Sequence, residues 1–97
     1  MRVIAVRTLR DFWNEYPDAE QPLRTWYREA KAAVWATPHD VKAMYRSASV
    51  VGGNRVVFNI AGNKYRLVVR CNYHYQIAYV RFVGTHAEYD RIDVENI

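Results

Sequence analysis

Through Tyr45, apolar positions recur every three or four residues; beyond Arg55 they alternate one by one. The first period is that of a helix burying one stripe, and the second that of a strand burying one face. Arg2 to Val6 reads as a short opening strand. Leu9, Phe12, Trp13 and Tyr16 then form the stripe of a first helix, with Thr8 as its N-cap, Asp11 in its first turn and Pro17 at its end. Asp18 is the expected cap of a second helix running to about Trp35. Leu23, Trp26, Tyr27, Ala30 and Val34 are its apolar set, and Pro22 fits only in its first turn. Thr37-Pro38 opens a third, shorter helix with Pro at the first position and Val41, Met44 and Tyr45 inward.

The strands follow. Arg55 to Ile60 reads as one, Ala61-Gly62-Asn63 as a hairpin turn, and Lys64 to Cys71 as its partner. Asn72 to His74 is a second tight connection, and Gln76 to Val83 a third strand that Gly84 breaks. Thr85 caps a short C-terminal helix. Consecutive antiparallel strands make a meander, and the opening strand joins it at an edge. The expectation is α+β: a small antiparallel β-sheet with N-terminal helices packed on one face and a short C-terminal helix.

Composition narrows the class. With 97 residues, 51% hydrophobic and 25% charged, the chain suits one globular domain spanning residues 1–97 and not a disordered segment. No apolar run approaches the roughly 20 residues of a membrane-spanning helix, and the apolar stretch after Met1 is too short for a secretory signal. The one cysteine, Cys71, has no partner for an internal disulfide or a cysteine zinc site. These features lead us to expect a soluble cytoplasmic protein with no structural metal, no cofactor and no membrane partner.

Charge is unevenly placed. The net is +4, yet residues 1–40 balance six basic against six acidic side chains. Residues 41–87 hold seven basic side chains (Lys42, Arg46, Arg55, Lys64, Arg66, Arg70, Arg81) and no Asp or Glu. Residues 88–97 return to acid, with Glu88, Asp90, Asp93 and Glu95 against Arg91. An acid-free basic block suits a surface that meets a polyanion. Arginine outnumbers lysine eleven to three, and its fork matches phosphate bidentately and stacks on bases.

Alternation sorts these cations. Tyr65, Leu67, Val69 and Cys71 share one face of their strand; Lys64, Arg66, Val68 and Arg70 share the other. In the next strand Ala78, Val80 and Phe82 are expected inward, leaving Ile77, Tyr79, Arg81 and Val83 on the open side. Arg66 and Arg81 then share an open face with Tyr79 beside them, a mixture that suits phosphate contact and base stacking. Gly84-Thr85-His86-Ala87-Glu88-Tyr89-Asp90 adds the densest chemistry. On a helix His86 lies three residues from Tyr89 and four from Asp90, so the three side chains lie together. Imidazole is the side chain best suited to proton transfer near neutrality.

Two stretches carry a family resemblance: Val57 to Val69, which reads VFNIAGNKYRLVV, and Tyr79 to Asp90, which reads YVRFVGTHAEYD. In this order, and over nearly the whole chain, the sequence resembles the HigB toxins of type II toxin–antitoxin systems, within the wider RelE-like group of mRNA interferases. Ala61 stands where that family often has a second glycine. The resemblance implies a RelE-like fold and a metal-independent endoribonuclease that cuts messenger RNA in the ribosomal A site. It also implies a HigA-like helix-turn-helix antitoxin as partner. In such a reaction the 2′-hydroxyl attacks the neighbouring phosphorus and expels the 5′-oxygen. That chemistry needs a base, an acid and positive charge at the phosphorus.

On this reading Arg66, Arg81, His86 and Tyr89 are the catalytic candidates. The arginines stabilise phosphate, His86 carries a proton, and Tyr89 stacks or donates. Lys64, Arg70, Tyr79 and Asn63 extend the RNA-binding surface, and Asp90 either orients His86 or only solvates the helix. His39 and His74 are read as solvated, and Cys71, Trp13, Trp26 and Trp35 as core. Two alternatives use the same basic face without chemistry: an RNA- or DNA-binding module, and a regulatory subunit docking an acidic partner.

Overall fold

A computed structural model describes residues 1–97. The strands are β1 (Arg2–Ile4), β2 (Ser49–Val51), β3 (Arg55–Ile60), β4 (Tyr65–Asn72) and β5 (Ile77–Thr85). The helices are α1 (Val6–Glu15), α2 (Glu20–Ala32), α3 (Pro38–Met44) and α4 (His86–Tyr89), with a 3-10 turn at Pro17–Ala19. The sheet order is β1-β5-β4-β3-β2. β1 joins the sheet at one edge, the place expected for the opening strand, but runs parallel to β5; every other pair is antiparallel. β2, only three residues long, is an additional edge strand that the alternation did not reveal.

The helical stripes explain the layer. Leu9, Phe12 and Trp13 of α1 and Leu23, Trp26 and Ala30 of α2 are buried against one face of the sheet. That face presents Val56, Phe58 and Ile60 from β3, Tyr65, Leu67, Val69 and Cys71 from β4, and Ala78 from β5. Aromatic rings lock the layers: Trp26 meets Phe58 edge-on at 5.3 Å, and Phe12 meets Tyr65 at 5.2 Å. The result is the α+β architecture expected, with a mostly antiparallel sheet.

Several local expectations are corrected. α1 starts at Val6, two residues before Thr8, because β1 ends at Ile4 and only Ala5 remains extended. Asp18 does not cap α2. It lies in the 3-10 turn, and its carboxylate accepts from the Lys64 ammonium and the Tyr65 hydroxyl, tying the helices to the β3–β4 turn. α2 stops at Ala32, which leaves Val34 81% exposed; Met44, the last residue of α3, also faces solvent. Gly84 does not break β5. It is buried within the strand, where a Cβ would come to 2.5 Å from the Phe82 ring.

Candidate functional site

Opposite the helices, the outer face of the sheet carries Arg55, Val57 and Asn59 from β3 and Arg66, Val68 and Arg70 from β4. Its continuation into β5 depends on an irregularity. Val69 pairs with Val80 and Val68 with Phe82, so Arg81 is an extra residue that β5 holds as a bulge. The bulge reverses the alternation beyond it. Phe82, expected inward, stands on the outer face opposite Val68, while Val83, expected outward, packs against the core. Gly84, opposite Arg66, leaves the space that the Phe82 ring occupies, since a Cβ there would come to 2.5 Å from it.

The face is not fully open. Val57 and Val68 are buried although neither belongs to the helix-facing core cluster. The segment after α4 reaches the β2–β3 connection and Arg55 at the start of β3. Glu95 reaches Gly52 and Gly53, and Ile92, Val94 and Ile97 are half-buried. Arg55 fastens the segment. Its Nε donates to the Ile97 carbonyl at 2.8 Å, Nη2 donates to the same oxygen, and Nη1 donates to the Gly53 carbonyl at 2.8 Å. Arg55 is thus a buried structural cation, and the expectation of a wholly open basic face is corrected there.

Lys64 also departs from the outer set. It lies in the turn before β4, and its ammonium is paired with Asp18 on the helical side. That hydrogen bond, followed by the one from Tyr65, holds the Asp18 carboxyl below its ordinary value; the same partner raises Lys64. Arg66 is half-exposed and bends toward the turn, where Nη1 donates to the Asn63 carbonyl at 3.0 Å.

Two groups of polar side chains lie toward the two ends of β5. One is a cleft of about 480 Å³ at the β4–β5 turn, lined by Asn54, Arg70, Cys71, Asn72, Tyr73, His74, Tyr79 and Arg81. It brings together Arg70, Tyr79 and Arg81 from the sequence-based set. Neither arginine is in an ion pair. Burial pushes the Cys71 thiol up to about 11, so it stays protonated. His74 and Asn54 were not among the candidates. Both lie in connections, where alternation carries no information about direction.

The other group is on α4, at the opposite end of β5. Thr85 caps this turn of helix: its hydroxyl accepts from the Glu88 N–H at 3.2 Å, and Glu88 accepts from the Thr85 N–H at 2.8 Å. This capping box sets the direction of His86, whose Nδ1 is 3.0 Å from Asp90 Oδ2. A carboxylate only accepts, so Nδ1 carries the hydrogen and Nε2 is the free nitrogen. Both side chains are more than half exposed, and a pair of that kind contributes roughly 0.2–1 kcal/mol at most. Tyr89, half-buried, completes the helix. Arg66, His86, Tyr89 and Asp90 do not line the cleft.

The HigB toxin family model, described as the RelE-like toxic component of a toxin-antitoxin system, matches residues 19–92. The chain belongs to the HigB toxin family. The matched residues take in both the cleft and α4. The mRNA interferase toxin HigB of Escherichia coli (strain K12) is 29% identical over 92 residues, covering 93% of this chain and 88% of that protein. The mRNA interferase HigB of Shigella flexneri matches with the same identity and coverage. The mRNA interferase HigB of Escherichia coli O6:H1 is 22% identical over 94 residues, covering 95% of this chain and 91% of that protein. A HigB toxin, as one half of a toxin-antitoxin system, has an antitoxin as its partner. No helix of the chain is long and apolar enough to cross a membrane.

Proposed function

We propose that this chain is an endoribonuclease that cuts messenger RNA during translation, in the ribosomal A site, and that a HigA-like helix-turn-helix antitoxin neutralises it in the cytoplasm. The curated relatives' name, mRNA interferase, supports the activity. The observation that carries the reading is the outer sheet face. Arg66, Arg70 and Arg81 project from two neighbouring strands with no acid among them, and the face ends on a helix that fixes an imidazole.

The reaction is a transesterification. The 2′-oxygen bonds to the adjacent phosphorus as its proton passes to a base, and the 5′-oxygen leaves with a proton from an acid. His86 is the proton carrier, offering Nε2 while Asp90 holds Nδ1 and fixes the ring plane. Arg66, one residue from the Tyr65–Thr85 pair that adjoins α4, faces the same end of the sheet and supplies charge for the pentacoordinate phosphorus. Tyr89 lies one turn beyond His86, as a stacking surface or proton donor. Arg81 and Arg70 hold the flanking phosphates, with Tyr79 as a base platform and Asn63 at the turn. Lys64, neutralised by Asp18, adds less to RNA binding than its charge suggests. A substrate already ordered by the ribosome supplies proximity and orientation, so a sparse catalytic set suffices.

Inducible expression in a bacterium tests this. Growth should stop, translated transcripts should acquire internal 5′ ends, and co-expression of a cognate helix-turn-helix protein should restore growth. Normal growth with intact transcripts would overturn the reading.

A further inference from the structure

We infer that the cleft at the β4–β5 turn is a nucleotide subsite, distinct from the reaction centre at α4, that holds an unpaired nucleotide of the same RNA strand flanking the cut. The inference rests on the RNA-cutting reading above.

Distance separates the two places. Tyr79 lies six positions and Arg81 four positions before Thr85 on β5, so at about 3.3 Å per residue the backbone of the cleft is roughly 13–20 Å from the start of α4. A catalytic acid or base must come within hydrogen-bond reach of its proton. One phosphate therefore cannot be served by both ends, and an extended strand running between them spans several nucleotides. The cleft has the dimensions of a ligand site, about 480 Å³. Its charge selects an anion: Arg70 and Arg81 enter it from neighbouring strands, neither has a counter-ion, and no carboxylate lines it.

The remaining lining suits a base. Tyr79, opposite Arg70 in the ladder, offers a half-buried ring. His74 is exposed at the rim, braced edge-on by Tyr75 at 4.7 Å. Asn72 is committed to the turn, its Oδ1 accepting from the Tyr75 N–H at 3.0 Å. Asn54, in the β2–β3 turn, leaves a side-chain amide free for a base edge. A cationic groove with aromatic rings is the recurring solution for unpaired RNA, and the amide adds base preference to it.

The test uses the full chain and a 2′-O-methyl hexaribonucleotide, which has no 2′-hydroxyl to attack and is not cut. Titration followed by NMR should move the signals of Asn54, His74 and Tyr79, and Tyr79→Ala and His74→Ala should each weaken binding roughly tenfold. On translated messages, primer extension should show that His74→Ala and Asn54→Gly redistribute the cut positions. Unmoved cleft signals together with an unchanged cut pattern would overturn the subsite and leave the RNA-cutting reading standing. Loss of all cutting by His74→Ala, with the hexanucleotide still bound, would overturn it differently, by making the cleft the reaction centre. Failure of the wild-type chain both to bind RNA and to cut messages would overturn the reading beneath it.

Discussion

Phe82 of β5 stands opposite Val68 of β4, and Arg81 beside it has no partner in the ladder. A bulged, exposed residue contributes little packing, so Arg81→Ala should change stability by no more than about 0.5 kcal/mol. Its guanidinium is assigned to a flanking RNA phosphate, so cutting of translated message should fall by about tenfold through weaker RNA binding. Thermal melts and single-turnover cleavage, run on the same preparation, separate the two effects. A large stability loss with proportionate activity loss would mean that the arginine is structural.

Gly84 links the bulge to α4. A methyl group there would press on the Phe82 ring and come to 3.1 Å from the Glu88 carboxylate that closes the capping box. Gly84→Ala should therefore cost about 1–3 kcal/mol through overpacking. It should also reduce activity beyond the unfolded fraction, because the cap that orients His86 is disturbed. Circular dichroism melts and cleavage rates well below the melting temperature check this. Activity fully accounted for by the folded fraction would contradict it.

Cys71 is buried on the core face, and its thiol is pushed up to about 11 by that burial. At pH 8 roughly one thiol in a thousand is ionised. The native chain should leave Ellman's reagent unreacted over an hour, and one thiol per chain should titrate once guanidinium unfolds it. Rapid reaction of the native chain would contradict the packing.

Asp18 has a testable pH signature. Lys64, and then Tyr65, hydrogen-bond its carboxylate and depress its folded-state value below 3.8. A depressed value means stabilisation that is present above 3.8 and lost as pH falls through the folded value. Asp18→Asn should therefore be less stable than wild type at pH 7, and the gap should narrow below pH 3.8. Urea unfolding across that range measures it. A gap of constant size would show that the charge is irrelevant.

The helical stripes and the β3–β4 hairpin were legible in the sequence because each repeats its period over several residues. Val34 and Met44 were misplaced because an apolar pattern can run past the point where the backbone stops being helical. The bulge at Arg81 was invisible for a different reason. Phe82 and Val83 are both apolar, so either phase of alternation satisfies the core. Asp18 reads as a cap, since a carboxylate that suits a cap equally suits a distant lysine. Of the site, the His86–Asp90 pair followed from helical spacing, and Arg70, Tyr79 and Arg81 from strand alternation. His74 and Asn54 sit in turns, where direction is set by tertiary packing. The docking of the last residue on Arg55 depends on a contact between residues far apart in the chain.

The most direct measurement is primer extension on a single message translated in a reconstituted system, with wild type, Arg66→Ala and His86→Ala added at equal concentration. Wild type should create discrete internal 5′ ends within the translated frame, and each variant should lose them by about 10²-fold while remaining folded. Wild-type cutting by both folded variants would contradict an RNA-cleaving centre at α4.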